Sequence, residues 1–77
     1  MRTSLDAVPE GGIVRVVEIL TGPGATLRLR ELGIREGSVV KVVKNSGIGP
    51  IVIETEEGRF ALGRGVASRI MVESLTR

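Results

Sequence analysis

The chain has 77 residues with no Cys, no His, no Trp and no Tyr, which excludes disulfide staples, thiolate or imidazole catalysis and closed zinc sites. Its length predicts one domain over residues 1–77. Eleven Lys and Arg against nine Asp and Glu leave a net charge of +2, and the pI of 9.9 is high only because almost nothing titrates between about pH 5 and 10.

Eleven Val, seven Ile and seven Leu supply the apolar mass, and 18 of these 25 residues are β-branched. That bias favours pleated, half-buried strands over helix. The opening stretch from Met1 to Pro9 holds Asp6 and no apolar run, so neither a signal peptide nor a membrane span is expected and the protein reads as cytosolic. Ser4–Gly12 is polar, with Pro9 and the Gly11-Gly12 pair, and predicts a turn. Ile13–Leu20 predicts the first strand. Its alternation breaks at Val16-Val17, which calls for a bulge or burial on both faces.

Gly22-Pro23-Gly24 ends that strand, and Ala25–Leu32 predicts the one convincing helix, capped by Thr21 or Thr26. Ala25, Leu29 and Leu32 form its core stripe at i, i+4 and i+7. Gly33 stands where a left-handed residue closes a helix, with Ile34 as its apolar partner. Val39–Val43 predicts a strand with Val40 and Val42 on one face. Lys44–Pro50 is a glycine-rich loop. Ile51–Glu56 alternates with Ile51 and Ile53 inward, then Glu57-Gly58 turns into Arg59–Leu62, with Phe60 and Leu62 inward. A helical turn around Val66 and Ala67 precedes a closing strand, Ile70–Glu73, with Ile70 and Val72 inward. Five short strands and one helix predict a mainly β fold: a small five-stranded SH3-like barrel, closed on itself, with the helix inserted between strands one and two.

Few residues could carry chemistry. Glu54 and Glu56 share one strand face with Glu57 in the turn beside them, a weak hard-cation set that reads as a solvated face near Arg59 and Arg64. Gly22-Pro23-Gly24 lacks the Lys-Ser/Thr of a phosphate loop. Phe60 is the only aromatic ring and is expected inside, so neither a polyproline groove nor a base-stacking platform is expected. No catalytic, cofactor or metal residues are assigned. On the helix, Leu27 lies about 200° around the axis from Leu29, outside the core stripe and between Arg30 and Glu31. Leu27, Arg28 and Arg30 are the candidate protein-docking face. Val39, Val43 and Val52 add apolar area to the outer sheet faces, which suits self-association.

The run Arg28-Leu29-Arg30-Glu31-Leu32-Gly33-Ile34-Arg35-Glu36-Gly37, followed by Val40 and Val42, resembles the signature of the FeoA family of ferrous iron transport proteins. The likeness continues through Gly49-Pro50-Ile51-Val52-Ile53 and Ala61-Leu62 to Ala67, Ile70 and Val72. It departs at Glu36, where the family often has Pro, and at Gly63-Arg64-Gly65-Val66, in place of a frequent Arg-x-x-Glu. The resemblance implies an SH3-like core and a cytosolic accessory protein of bacterial or archaeal ferrous iron uptake. Such a protein docks on the cytosolic, GTP-binding portion of the FeoB permease and supports transition-metal transport without a tight metal site of its own. The alternative from charge and fold together is a nucleic-acid-binding barrel of the ribosomal or KOW kind.

Overall fold

The computed structural model describes residues 2–76. Six strands make one antiparallel sheet: β1 (Arg2–Ser4), β2 (Ile13–Ile19), β3 (Val39–Lys44), β4 (Ile51–Thr55), β5 (Gly58–Leu62) and β6 (Ile70–Ser74). Two helices, α1 (Pro23–Glu31) and α2 (Arg64–Ala67), and a 3-10 turn at Leu5–Ala7 are the other elements among the described residues. The sheet order is β1-β6-β2-β3-β4-β5. It is mainly β and SH3-like, with the long helix inserted after the first long strand, as the sequence predicts.

Two expectations are corrected. The strands number six rather than five, because Arg2–Ser4 pairs with β6 through Arg2↔Glu73, Thr3↔Val72 and Ser4↔Met71. Three polar-leaning residues show no alternation of their own, and the neighbouring strand imposes their conformation. The sheet is also open. β1 and β5 are its two edges and do not pair with one another among the described residues, since β1 stops at Ser4 and the chain folds into the turn that buries Leu5.

Alternation puts Val14, Val16, Val40, Val42, Ile51, Ile53, Ile70 and Val72 in the core, with Leu5, Val8, Leu29, Ile34, Leu62 and Ala67 sealing its ends. The break at Val16-Val17 is a bulge: β2 pairs with β6 as Val16↔Val72 and then Glu18↔Met71, skipping Val17. A second bulge falls at Val43, between Val42↔Ile53 and Lys44↔Val52. The β4–β5 connection is Glu56-Glu57, one residue earlier than the sequence suggests. Thr55 pairs with Gly58, whose φ of +133° carries the reversal that two glutamates would resist.

Helix α1 begins at Pro23, in the first turn where the missing N–H costs nothing, with Gly22 as N-cap rather than a threonine. Thr21 and Thr26 instead bond to each other through their hydroxyls at 2.7 Å. At the far end the Gly33 N–H donates to the Arg30 carbonyl at 3.0 Å and the Ile34 N–H to the Leu29 carbonyl at 2.8 Å. With Gly33 at φ +86° and Leu29 and Ile34 both buried, this is a complete Schellman end.

A polar clasp that the sequence does not reveal ties three distant segments. The Asn45 amide Nδ2 donates to the carbonyls of Asp6 (3.0 Å) and Val8 (2.8 Å). Its Oδ1 accepts from the Gly47 N–H (3.1 Å) and from Arg64 Nη2 (2.8 Å). Arg64 also donates from Nε to the Gly49 carbonyl at 3.1 Å and from Nη1 to the Asp6 carbonyl at 3.3 Å. Asn45→Ala strands the Val8 carbonyl, leaves the Asp6 carbonyl only its bond from Arg64 and takes one of the arginine's three bonds, so it is expected to cost about 2 kcal/mol. Urea unfolding checks this as a lowered midpoint at unchanged slope; an unchanged midpoint contradicts it.

Candidate docking site

Helix α1 buries Leu29, half-buries Thr26 and exposes its other residues. Leu29 is 3% exposed while Leu27, two positions earlier, is 61% exposed. Arg28 and Arg30 flank Leu27 in the last two turns and are exposed, as is Glu31. The structure thus brings Leu27, Arg28 and Arg30 onto one accessible helix surface. Two basic groups near the helix C-terminus also suit its negative dipole end, so part of their placement is structural.

Ala25 is exposed, against its expected place in the core stripe, and Leu32 is half-buried. The reason is a groove of about 430 Å³ between α1 and β5, with α2 at its end. Ala25, Leu29 and Leu32 form one wall, Phe60 and Leu62 the other, and Val66 closes it. Phe60 is half-buried rather than inside: it packs against the core and also faces this groove. Arg28 and Arg59 line the groove too, and both are exposed. No Asp or Glu lines it. A groove-lining role for Phe60 is not legible in alternation alone, because an edge strand has no neighbour to cover one flank.

The carboxylates separate rather than converge. Glu54 accepts from Arg59 Nε at 3.2 Å across the hairpin, while Glu56 and Glu57 stand exposed in the turn. Arg64, expected near them, is held in the Asn45 clasp. Among the described residues no three of His, Cys, Asp and Glu come together in a metal-holding group. The only other ion pair there, Arg2 with Glu18 at 3.8 Å, lies exposed and contributes little. Val39 is 47% exposed, and Val43 and Val52 are half-buried on the outer faces. No helix among the described residues is long and apolar enough to cross a membrane.

Residues 3–74 match the model of the FeoA domain. A Methanocaldococcus jannaschii protein named "Putative Fe(2+) transport protein A" is 47% identical over 64 residues, covering 83% of this chain and 77% of that one. The crystal structure of an iron uptake regulatory protein (FeoA) superposes with a TM-score of 0.91 at 36% identity, covering 97% of this chain and all of that one. A manganese-dependent transcriptional repressor superposes with a TM-score of 0.85 at 26% identity, but the 96% of this chain that aligns spans only 41% of that protein. The shared part is therefore one portion of a longer molecule.

Proposed function

The chain belongs to the FeoA family, and on that premise we propose that it serves Fe²⁺ uptake as a cytoplasmic, non-enzymatic accessory protein. In this reading it docks on the cytosolic, GTP-binding portion of a FeoB-type permease, and the α1 surface of Leu27, Arg28 and Arg30 makes the contact. The iron part rests on family membership and on the iron-transport names of its relatives. The docking part rests on one observation: a leucine left 61% exposed on the longest helix, beside two arginines free of ion pairs among the described residues. A large apolar side chain held out on a rigid helix is what an interface anchor looks like before its partner arrives.

The inventory of side chains supports the same reading. A chain without imidazole, thiol or phenol lacks the side chains most often used in nucleophile–base pairs, which supports a role in binding. Iron is then the cargo of the system served rather than a resident ion.

Leu27→Asp puts a charge at the proposed anchor without touching the core, so the variant folds as the parent does. In cells lacking the parent gene, the variant is expected to accumulate normally yet restore at most about a tenth of Fe²⁺ uptake, the loss a central interface residue carries. Radio-iron uptake under anaerobic conditions reads this directly. Full restoration by Leu27→Asp removes the α1 surface from the proposal.

A further inference from the structure

The groove beside α1 has a second property that its apolar walls do not explain. Four successive residues of β5, Arg59 to Leu62, line it. Successive residues of a strand point to opposite faces, so a groove touched by all four runs along the strand's edge rather than over one face. The sheet order agrees: β5 is paired on one side by β4 and is terminal on the other.

The direction of its backbone groups follows from register. The pair closing a two-residue turn is Thr55↔Gly58, and such a pair is hydrogen-bonded. Bonded and non-bonded pairs alternate along an antiparallel ladder, so Phe60 and Leu62 bond to Ile53 and Ile51. Arg59 and Ala61 therefore turn their N–H and C=O groups away from β4, toward the groove. No hydrogen bond from another element reaches them among the described residues. An apolar trench whose wall is an open row of backbone donors and acceptors fits one kind of occupant: an extended chain that adds as a strand. Charge narrows it further. Arg28, free of ion pairs among the described residues, lines the trench beside Arg59, whose Nε is already paired with Glu54, and no acidic residue among the described residues lines it, so the added segment carries carboxylates beside its apolar side chains.

We propose that the α1–β5 groove receives an extended acidic-apolar peptide segment of a protein partner as a seventh strand on the β5 edge, its apolar side chain seated against Leu29, Leu32 and Phe60. This rests on the docking reading above and deepens it: Leu27 anchors the outer helix surface, while the groove selects the partner's segment by backbone pairing and charge.

The probe is an acetylated, amidated hexapeptide of alternating valine and glutamate, titrated into the isotope-labelled full chain and followed by amide resonances and hydrogen exchange. The expected result is saturable shifts at Arg59, Phe60 and Ala61, with the Arg59 and Ala61 amide protons exchanging at least tenfold more slowly when bound. The same peptide with lysine in place of glutamate is expected to bind at least tenfold more weakly. Arg28→Glu should reverse that preference. Ala61→Pro, which removes only an outward-facing N–H on an edge strand, should abolish binding with the fold retained, and Ile48→Ala, at an exposed loop position outside the groove, should leave it unchanged. No saturable shift with the glutamate peptide, or equal binding of both peptides, overturns the proposal. Because this probe contains no permease, its failure leaves the docking reading standing, and failure of permease binding beside a positive peptide result overturns that reading alone.

Discussion

Gly33→Ala is expected to lower the unfolding free energy by about 2–4 kcal/mol, a loss of roughly 10–20 °C in midpoint temperature for a domain of this size. Two causes add. Gly33 sits at φ +86°, where a Cβ meets its own carbonyl and costs about 1–2 kcal/mol. A Cβ there would also lie 2.9 Å from both Thr55 Oγ1 and Glu57 Cγ. Glu57 is exposed and can swing away, but Thr55 is buried and its hydroxyl is committed. It donates to the Leu32 carbonyl at 2.7 Å and accepts the Glu57 N–H at 3.0 Å. Pushing it aside leaves the end of α1 unbonded to β4, at about 1–2 kcal/mol more. Gly37 supplies the control: its φ is +91° and nothing lies within 4 Å of a Cβ. Gly37→Ala should therefore show the backbone cost alone. Thermal unfolding of the two variants checks the difference, and equal losses would contradict the packing of the helix end on β4.

Ile53→Ala carries the other large effect, about 3–4 kcal/mol. Ile53 is fully buried at the centre of β4, paired to Val42 on one side and Phe60 on the other. Removing three carbons there opens a cavity that strands on both sides prevent from collapsing. A 77-residue chain has only about 4–12 kcal/mol of total stability, so the substitution removes at least about a quarter of it. Val52→Ala, one residue away on the half-buried outer face, should lose less than about 1 kcal/mol. Urea denaturation of the pair measures this contrast. A small loss at Ile53 would mean that β4 is not the centre of the core.

What the sequence makes legible are features that one short window contains. The bulge at Val17 shows as a broken alternation. The helix end shows as Leu29, Gly33 and Ile34 at Schellman spacing, because each group it needs is within six residues. Leu27 shows as exposed because helix geometry alone sets it opposite Leu29. What escapes depends on distant partners. Arg2–Ser4 becomes a strand only because β6 has a free edge, and Leu5 and Val8 enter the core from a stretch whose Pro and Gly content predicts a turn. Asn45 and Arg64 look like ordinary loop polar residues, since the carbonyls they bind belong to Asp6, Val8 and Gly49. Phe60 alternates as a core residue should, and only the open edge of β5 makes it a groove wall. The exposed surface of Leu27, Arg28 and Arg30 is legible in the sequence because it lies on one helix; the groove is not, because it lies between two elements.

Titrating the purified chain into the purified cytosolic region of a FeoB-type permease, by calorimetry with GDP and then with a non-hydrolysable GTP analogue, tests most directly whether this protein works through its surface. The expected result is saturable, stoichiometric binding in at least one nucleotide state, weakened at least tenfold by Leu27→Asp. No binding in either state would contradict it.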